Sequence, residues 1–191
     1  MDTITLKSSL YQVEARLLEK IPLRRKRCGE ECRGRCCGGG ISVDVDRVRW
    51  ILEHRYLIPL DNSISLFRGQ PFIDYSLDHP ELSIYTNRDE LGCMFMGETE
   101  RCILHSISDD YFGDSTYVKP FYCNIFPLTI VNRVVSLAYP VIIGKPDFDV
   151  MKECFVSIEE PQMLFYEFQK ELRFVLGDEA FNELKEMANG I

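Results

Sequence analysis

Four of the eight cysteines fall within ten positions, in the run Cys28-Gly-Glu-Glu-Cys32-Arg-Gly-Arg-Cys36-Cys37-Gly-Gly-Gly. Thiolates this close in sequence converge on one inorganic centre only if the backbone folds into tight knuckles. Gly29, Gly34 and Gly38 to Gly40 permit the positive φ angles that such turns need. Adjacent side chains point apart, so Cys36 and Cys37 suit two centres, or a cluster, better than a single zinc ion with Zn–S bonds of about 2.3 Å. The other four are dispersed: Cys93 in Gly-Cys-Met-Phe-Met, Cys102 in Arg-Cys-Ile-Leu-His, Cys123 in Lys-Pro-Phe-Tyr-Cys-Asn-Ile-Phe-Pro, and Cys154 in Lys-Glu-Cys-Phe. Eight thiols suffice for two four-coordinate sites. Metal ligation is therefore the expected chemistry, with Cys28, Cys32, Cys36, Cys37, Cys93, Cys102, Cys123 and Cys154 as ligands. An all-cysteine set with a paired Cys-Cys favours iron–sulfur clusters, [4Fe–4S] first, over Zn2+.

Two other uses of cysteine are weaker. The opening Met-Asp-Thr-Ile-Thr-Leu-Lys lacks the basic and apolar regions of a secretory peptide, which leads to the expectation of a cytoplasmic protein. Reducing cytosol disfavours structural disulfides, and 191 residues can build a core without covalent staples. Core thiols scattered by chance would not cluster as these do.

Other polar groups read as supporting parts. Arg24, Arg25, Lys26, Arg27, Arg33 and Arg35 crowd the first cysteines and are expected to offset thiolate charge, with an anion or partner site as the alternative. His105 follows Cys102 by three positions but is expected to stay outside the ligand set, and His54 and His79 read as surface groups. Asp109, Asp110 and Asp114 read as solvated loop charges rather than a hard-cation site, because EF-hand spacing is absent. Phe121, Tyr122 and Phe126 are expected to shield Cys123 from water. No Ser-His-Asp set, phosphate-binding loop or catalytic carboxylate pair is recognisable, so no catalytic residue is assigned.

The order of the thiols resembles that of the YkgJ-like cysteine-cluster family, described as chelating zinc or iron. That family shows two spaced cysteines, a Cys-Cys pair, a later Cys, a Cys-x-Ile-Tyr element, an Arg-Pro-x-x-Cys-Arg-x-Phe or Tyr-Pro element, and a final Cys. Here Cys28, Cys32, Cys36-Cys37, Cys93, Cys102-Ile103-Leu104-His105, Lys119-Pro120-Phe121-Tyr122-Cys123-Asn124-Ile125-Phe126-Pro127 and Cys154 occupy those places, over residues 28 to 154. His105 stands where the family has tyrosine, and Lys119 and Asn124 where it has arginine. Similar proteins include flagellin lysine N-methylases, in which such a cluster is linked to methyl transfer from S-adenosylmethionine. Nothing here reads as a Gly-x-Gly-x-x-Gly nucleotide loop, and Gly38 to Gly40 are better explained as the turn after a ligand pair.

The elements that must position these residues read as a single α+β domain over 1–191. Leu10, Val13, Leu17, Leu18 and Ile21 predict an amphipathic helix over about Leu6 to Lys20, stopped by Pro22. Ser42 or Asp44 caps a second helix with a stripe of Val45, Val48, Ile51 and Leu52, ending near His54. The runs Ile64 to Phe67, Pro71 to Tyr75 and Leu82 to Tyr85 predict a small antiparallel sheet, and Leu128 to Ile143 a hairpin turning at Asn132-Arg133. Met163 to Leu176 and a last helix opened by Asp178 predict a C-terminal helical hairpin, within residues 160 to 191. Between these elements lie cysteine loops that metal, rather than packing, would organise.

Apolar content of 46% and charged content of 27% match an ordinary folded domain. A net charge of −8 argues against nucleic acid as a partner, and no apolar run is long enough to span a membrane. Two function classes remain. One is a metal-binding cysteine-cluster protein holding iron–sulfur clusters for a redox, maturation or protein-modification role. The other is a zinc-stabilised protein-interaction module without catalysis. A protein partner is expected in either case.

Overall fold

A computed structural model describes residues 2–27, 31–32, 34, 36, 42–58, 72–74, 84–86, 88–89, 92–93, 95–97, 101–114, 117–138 and 149–191. In chain order its elements are β1 (Thr3–Thr5), β2 (Gln12–Glu14), β3 (Lys20–Arg25), β4 (Ser42–Val43), α1 (Val45–Glu53), β5 (Phe72–Asp74), β6 (Ile84–Thr86), β7 (Arg88–Asp89), β8 (Gly92–Cys93), α2 (Ile103–Phe112), α3 (Phe121–Ile125), β9 (Leu128–Val131), β10 (Val134–Leu137), α4 (Val150–Cys154), β11 (Phe155–Met163), α5 (Leu164–Glu167) and α6 (Gln169–Asn189). The chain is mixed α+β, and among the described residues all but one of the strand pairings are antiparallel. Two compact units result. The first comprises residues 1–26, 125–142 and 146–191, and the second residues 27–124 and 143–145.

The first unit contains a four-stranded sheet in the order β1-β2-β10-β9, with β2 and β10 parallel. The hairpin of β9 and β10 turns where expected. Asn132 and Arg133 have φ of 50° and 64°, the doubly positive pair that a tight two-residue turn requires. The expected N-terminal helix is absent. Leu10, the first residue of its stripe, is 81% exposed, and Val13 instead lies in β2 between Ile4 of β1 and Val135 of β10. Ser9 Oγ accepts the Tyr11 N–H at 3.0 Å and breaks the helical run, and the β-branched Val13 gains more from two strand neighbours than from a helix. Only Ala15–Leu18 is helical, a 3-10 turn that buries Leu17 and Leu18.

Strand β11 was not expected from sequence. It pairs antiparallel with β3, and the register shifts between Ser157 and Gln162. Pro161 lies inside that irregularity, where no ladder N–H is required, so the strand continues past it. The helical hairpin is present. Gly177, at φ 75° and ψ 169°, breaks α6 into two helical segments. Phe165 stacks on Phe181 at 5.5 Å, and the Tyr166 hydroxyl donates to Asn189 Oδ1 at 3.1 Å. A straight helix would hold positions 166 and 189 roughly 35 Å apart, so the chain doubles back. Phe165, Phe168, Leu172, Phe181 and Leu184 are fully buried there. Each contributes about 2 kcal/mol relative to an exposed side chain.

The second unit has its own core of Val43, Val48, Ile51, Ile58, Phe95, Ile103, Leu104, Ile107 and Val118. Helix α1 begins as expected, with the Asp44 carboxylate accepting the Arg47 N–H at 2.7 Å, but Leu52 leaves the apolar stripe at 47% exposure. A three-stranded antiparallel sheet has the order β4-β6-β5, and β7 pairs with β8. The expected strand at Ile64 to Phe67 lies outside the described residues. Helix α2 replaces the expected loop after Ser106. Ile103, Leu104, Ile107 and Ser108 are spaced to bury one helical face, and Gly113 closes the helix at φ 63°. The buried Ser108 Oγ then accepts the Val118 N–H at 2.9 Å, tying the following loop back to the helix.

Among the described residues no helix is long and apolar enough to cross a membrane.

Candidate metal centre

Three elements of the second unit position the dispersed cysteines. Cys93 ends β8 opposite Arg88, and its carbonyl accepts the Met96 N–H at 2.9 Å. The chain then doubles back: Met96 bridges to Cys102, and the Ile103 N–H reaches the Phe95 carbonyl at 2.8 Å. Phe95 is buried in the core and anchors this turn, so Cys93 and Cys102 both pack, half-buried, on the same apolar cluster. Cys102 also occupies the N-cap position of α2.

Cys123 lies in α3, the short helix after Pro120. Asn124 pins that helix, because its N–H donates to the Pro120 carbonyl at 3.1 Å and its Nδ2 to the Lys119 carbonyl at 3.2 Å. The rings of Phe121 and Tyr122 meet edge to face at 5.3 Å on the same turn. Cys32 and Cys36 are half-buried members of the first cysteine run. Cys28, Cys37, Arg33, Arg35 and His79 lie outside the described residues, as does most of the glycine-rich loop expected to be organised by metal.

Electrostatics identify the neighbours of Cys123. Burial pushes its thiol well above the ordinary range, and the nearby thiols of Cys102, Cys93 and Cys36 push it the same way. Lys119 opposes them. Ionising one buried thiol among others is unfavourable in isolation, but a bound metal ion reverses the balance, because a coordinated thiol is deprotonated outright. Four sulfur donors fit zinc or iron and poorly fit magnesium or calcium. Electrostatic reach is longer than a ligand bond. Among the described residues no group of three or more His, Cys, Asp or Glu side chains is drawn together as it would be to hold a metal ion.

Cys154 belongs to the first unit. It is the buried last residue of α4, a helix capped by Asp149, whose carboxylate accepts the Met151 and Lys152 N–H groups at 2.9 and 3.4 Å. Its carbonyl accepts the Lys26 N–H at 2.8 Å, which extends the ladder of β3 and β11 by one rung. None of the six described cysteines is joined in a disulfide.

The basic run has other engagements. Arg25 forms an ion pair with Glu171, donates to the Phe126 carbonyl at 2.7 Å and lies 5.4 Å from the centre of the Phe168 ring. Its own N–H donates to Glu167 Oε2 at 2.9 Å. Lys26 Nζ reaches the Lys152 carbonyl at 3.2 Å, and Arg27, 74% exposed, pairs with Glu31 at 3.9 Å. The cation that acts on Cys123 is Lys119, to which sequence reasoning assigned no role; the only hint was its position four residues upstream.

His105 Nε2 lies 3.2 Å from Asp109 Oδ2 on α2. His54 stacks on Trp50 at 4.1 Å with Nδ1 2.8 Å from the Trp50 carbonyl, a more structured place than a plain surface group. Asp109 and Asp110 are exposed, but on a helix rather than in a loop.

No known protein family, curated protein or solved structure matches this chain.

Proposed function

We propose that this protein is a metal-binding cysteine-cluster protein whose second unit holds an inorganic centre on Cys36, Cys93, Cys102 and Cys123, with Cys28, Cys32, Cys37 and Cys154 as the remaining expected ligands. The observation that carries this reading is that the partly buried Cys123 lies within electrostatic reach of the thiols of Cys102, Cys93 and Cys36. Four thiols from four separate stretches of chain that act on one another electrostatically, with no disulfide joining them, are a donor set that an inorganic centre would use. The order of the cysteines, which resembles that of the YkgJ-like family, supports the same assignment. A [4Fe–4S] cluster is the favoured occupant and Zn2+ the alternative. When bound, a cluster supplies one-electron redox chemistry, whereas zinc supplies only cross-linking of the loops. The chain's own part is to aim the thiols, through the Phe95 anchor and the Asn124 pin, and to exclude water with Phe121 and Tyr122. A redox, maturation or protein-modification role with a protein partner in the cytoplasm is the functional setting we assign.

Anaerobic purification without chelator tests the proposal. A brown protein with a broad absorbance band at roughly 400 nm, and iron with sulfide by analysis, supports the cluster; a colourless protein with stoichiometric zinc supports the interaction module. Protein that folds normally while carrying neither metal refutes both. Cys36→Ser and Cys37→Ser should each lower metal content, and full retention in both variants would exclude the first cysteine run.

A further inference from the structure

We infer that Met96 supplies a thioether sulfur to the corner of the second unit that carries Cys93 and Cys102, and that this corner is a soft-donor site that takes Cu(I). The inference shares these two thiols with the centre proposed above and so rests on their being ligands, but it needs neither Cys36 nor Cys123. Met96 and Cys102 are antiparallel partners. The hydrogen bonds that close their bridge are made by their neighbours: the Gly97 N–H donates to the Arg101 carbonyl and the Ile103 N–H to the Phe95 carbonyl, both at 2.8 Å. Met96 and Cys102 are therefore a non-hydrogen-bonded pair, the closer of the two kinds, with Cα atoms about 4.5 Å apart and side chains on the same face. On its other flank the Met96 N–H donates to the Cys93 carbonyl at 2.9 Å, closing a four-residue turn that brings the Cα atoms of Cys93 and Met96 within about 7 Å.

This corner is held in place without the methionine side chain. Phe95, 1% exposed, anchors it in the core, and the hydrogen bonds that shape it are all main-chain. Met96, Cys93 and Cys102 are each half-buried, so none of the three is sealed from solvent. A thioether is neutral and polarisable. It joins thiolates in binding soft ions such as Cu(I), whereas zinc takes thiolate, imidazole or carboxylate. Each cysteine that binds gives up its proton, while the thioether has none to lose. Met96 thus adds a third bond to the ion without adding a further negative charge to a partly desolvated site.

The test uses the full chain, freed of metal under anaerobic conditions, as wild type and as Met96→Leu, a swap that keeps the volume of an apolar side chain. Each is titrated with Cu(I) alone and, separately, with Zn2+ alone against chromophoric chelators. Cu(I) affinity should fall about tenfold in the variant, the low end of what losing even a supporting group around a metal costs, while zinc affinity should stay at the wild-type value. Selenomethionine-labelled protein carrying substoichiometric Cu(I) should show a Cu–Se neighbour in copper-edge X-ray absorption, and Met96→Leu, which leaves the other methionines in place, should lose it. Equal Cu(I) affinity in the two proteins, no Cu–Se neighbour in the wild type, or a zinc affinity that falls as far as that for Cu(I) would overturn the inference and leave the proposed centre standing. A wild type that takes up neither zinc, nor iron on reconstitution, nor Cu(I) would instead bring down both.

Discussion

At the scale of single residues, two carboxylate contacts define what each end of the first unit depends on. Glu183 accepts the Lys7 N–H on both oxygens at 3.0 Å, the Ser8 N–H at 3.3 Å and the Ser8 hydroxyl at 2.9 Å. The Lys7 backbone hydrogen bond chiefly holds its carboxyl below the usual carboxylate range. A depressed folded pKa means that the contribution is complete above the unfolded value of about 4.3 and is lost as pH falls through the lower folded value. Urea midpoints measured from pH 6 downward should therefore drop more in the wild type than in Glu183→Gln, and parallel acid limbs would contradict this. Arg25 is the second case. Its side chain is 22% exposed and that of its partner Glu171 only 11%, so Arg25→Met strands a nearly buried carboxylate and should cost about 3 kcal/mol in urea unfolding. Lys at this position should rescue little, because its single ammonium cannot serve Glu171 and the Phe126 carbonyl with a fixed fork. The identity of the thiols was legible in the sequence. Their proposed grouping was not, since Cys93, Cys102 and Cys123 are placed by β8, the start of α2 and α3, elements that the sequence pattern does not predict.

At the scale of elements, legibility followed how local the cause was. Helix α1 and the β9–β10 hairpin were readable because a cap and a turn act within four residues: Asp44 bonds Arg47, and Asn132-Arg133 supply the positive φ pair. Asp44→Ala should lower stability by about 1 kcal/mol, checked by the thermal midpoint of Trp50 fluorescence. The strand at Gln12–Glu14 carries a helical pattern in sequence because, besides the short β1, its partners are Val134 and Val135, more than a hundred residues away. Periodicity alone could not reveal a parallel neighbour at that distance. Helix α2 is less legible for another reason: its buried face of Ile103, Leu104 and Ile107 is short and runs straight into the charged Asp109-Asp110 pair. Gly177 marks the sharpest corner of the helical hairpin. At φ 75° and ψ 169° it occupies backbone space that side chains avoid, although nothing lies within 4 Å of where a Cβ would sit. Gly177→Ala should cost about 2 kcal/mol from backbone strain alone.

For the molecule as a whole, two units with separate cores give two observables. The single tryptophan, Trp50, reports the second unit, whereas the long α6 dominates the helical signal of the first. If the proposed centre organises the second unit, chelation under anaerobic conditions should shift the Trp50 transition to lower temperature by several degrees and leave the ellipticity transition nearly where it was. Equal shifts of both signals, or none, would count against a centre confined to that unit.

The discontinuity of the first unit bears on how the chain is made. During synthesis β2 leaves the ribosome more than a hundred residues ahead of β10, and β3 waits as long for β11. The second edge of β2 and the whole of β3 thus wait for late-made partners, and a nascent chain stalled before Phe155 would present unsatisfied sheet edges to any chaperone or neighbour at hand.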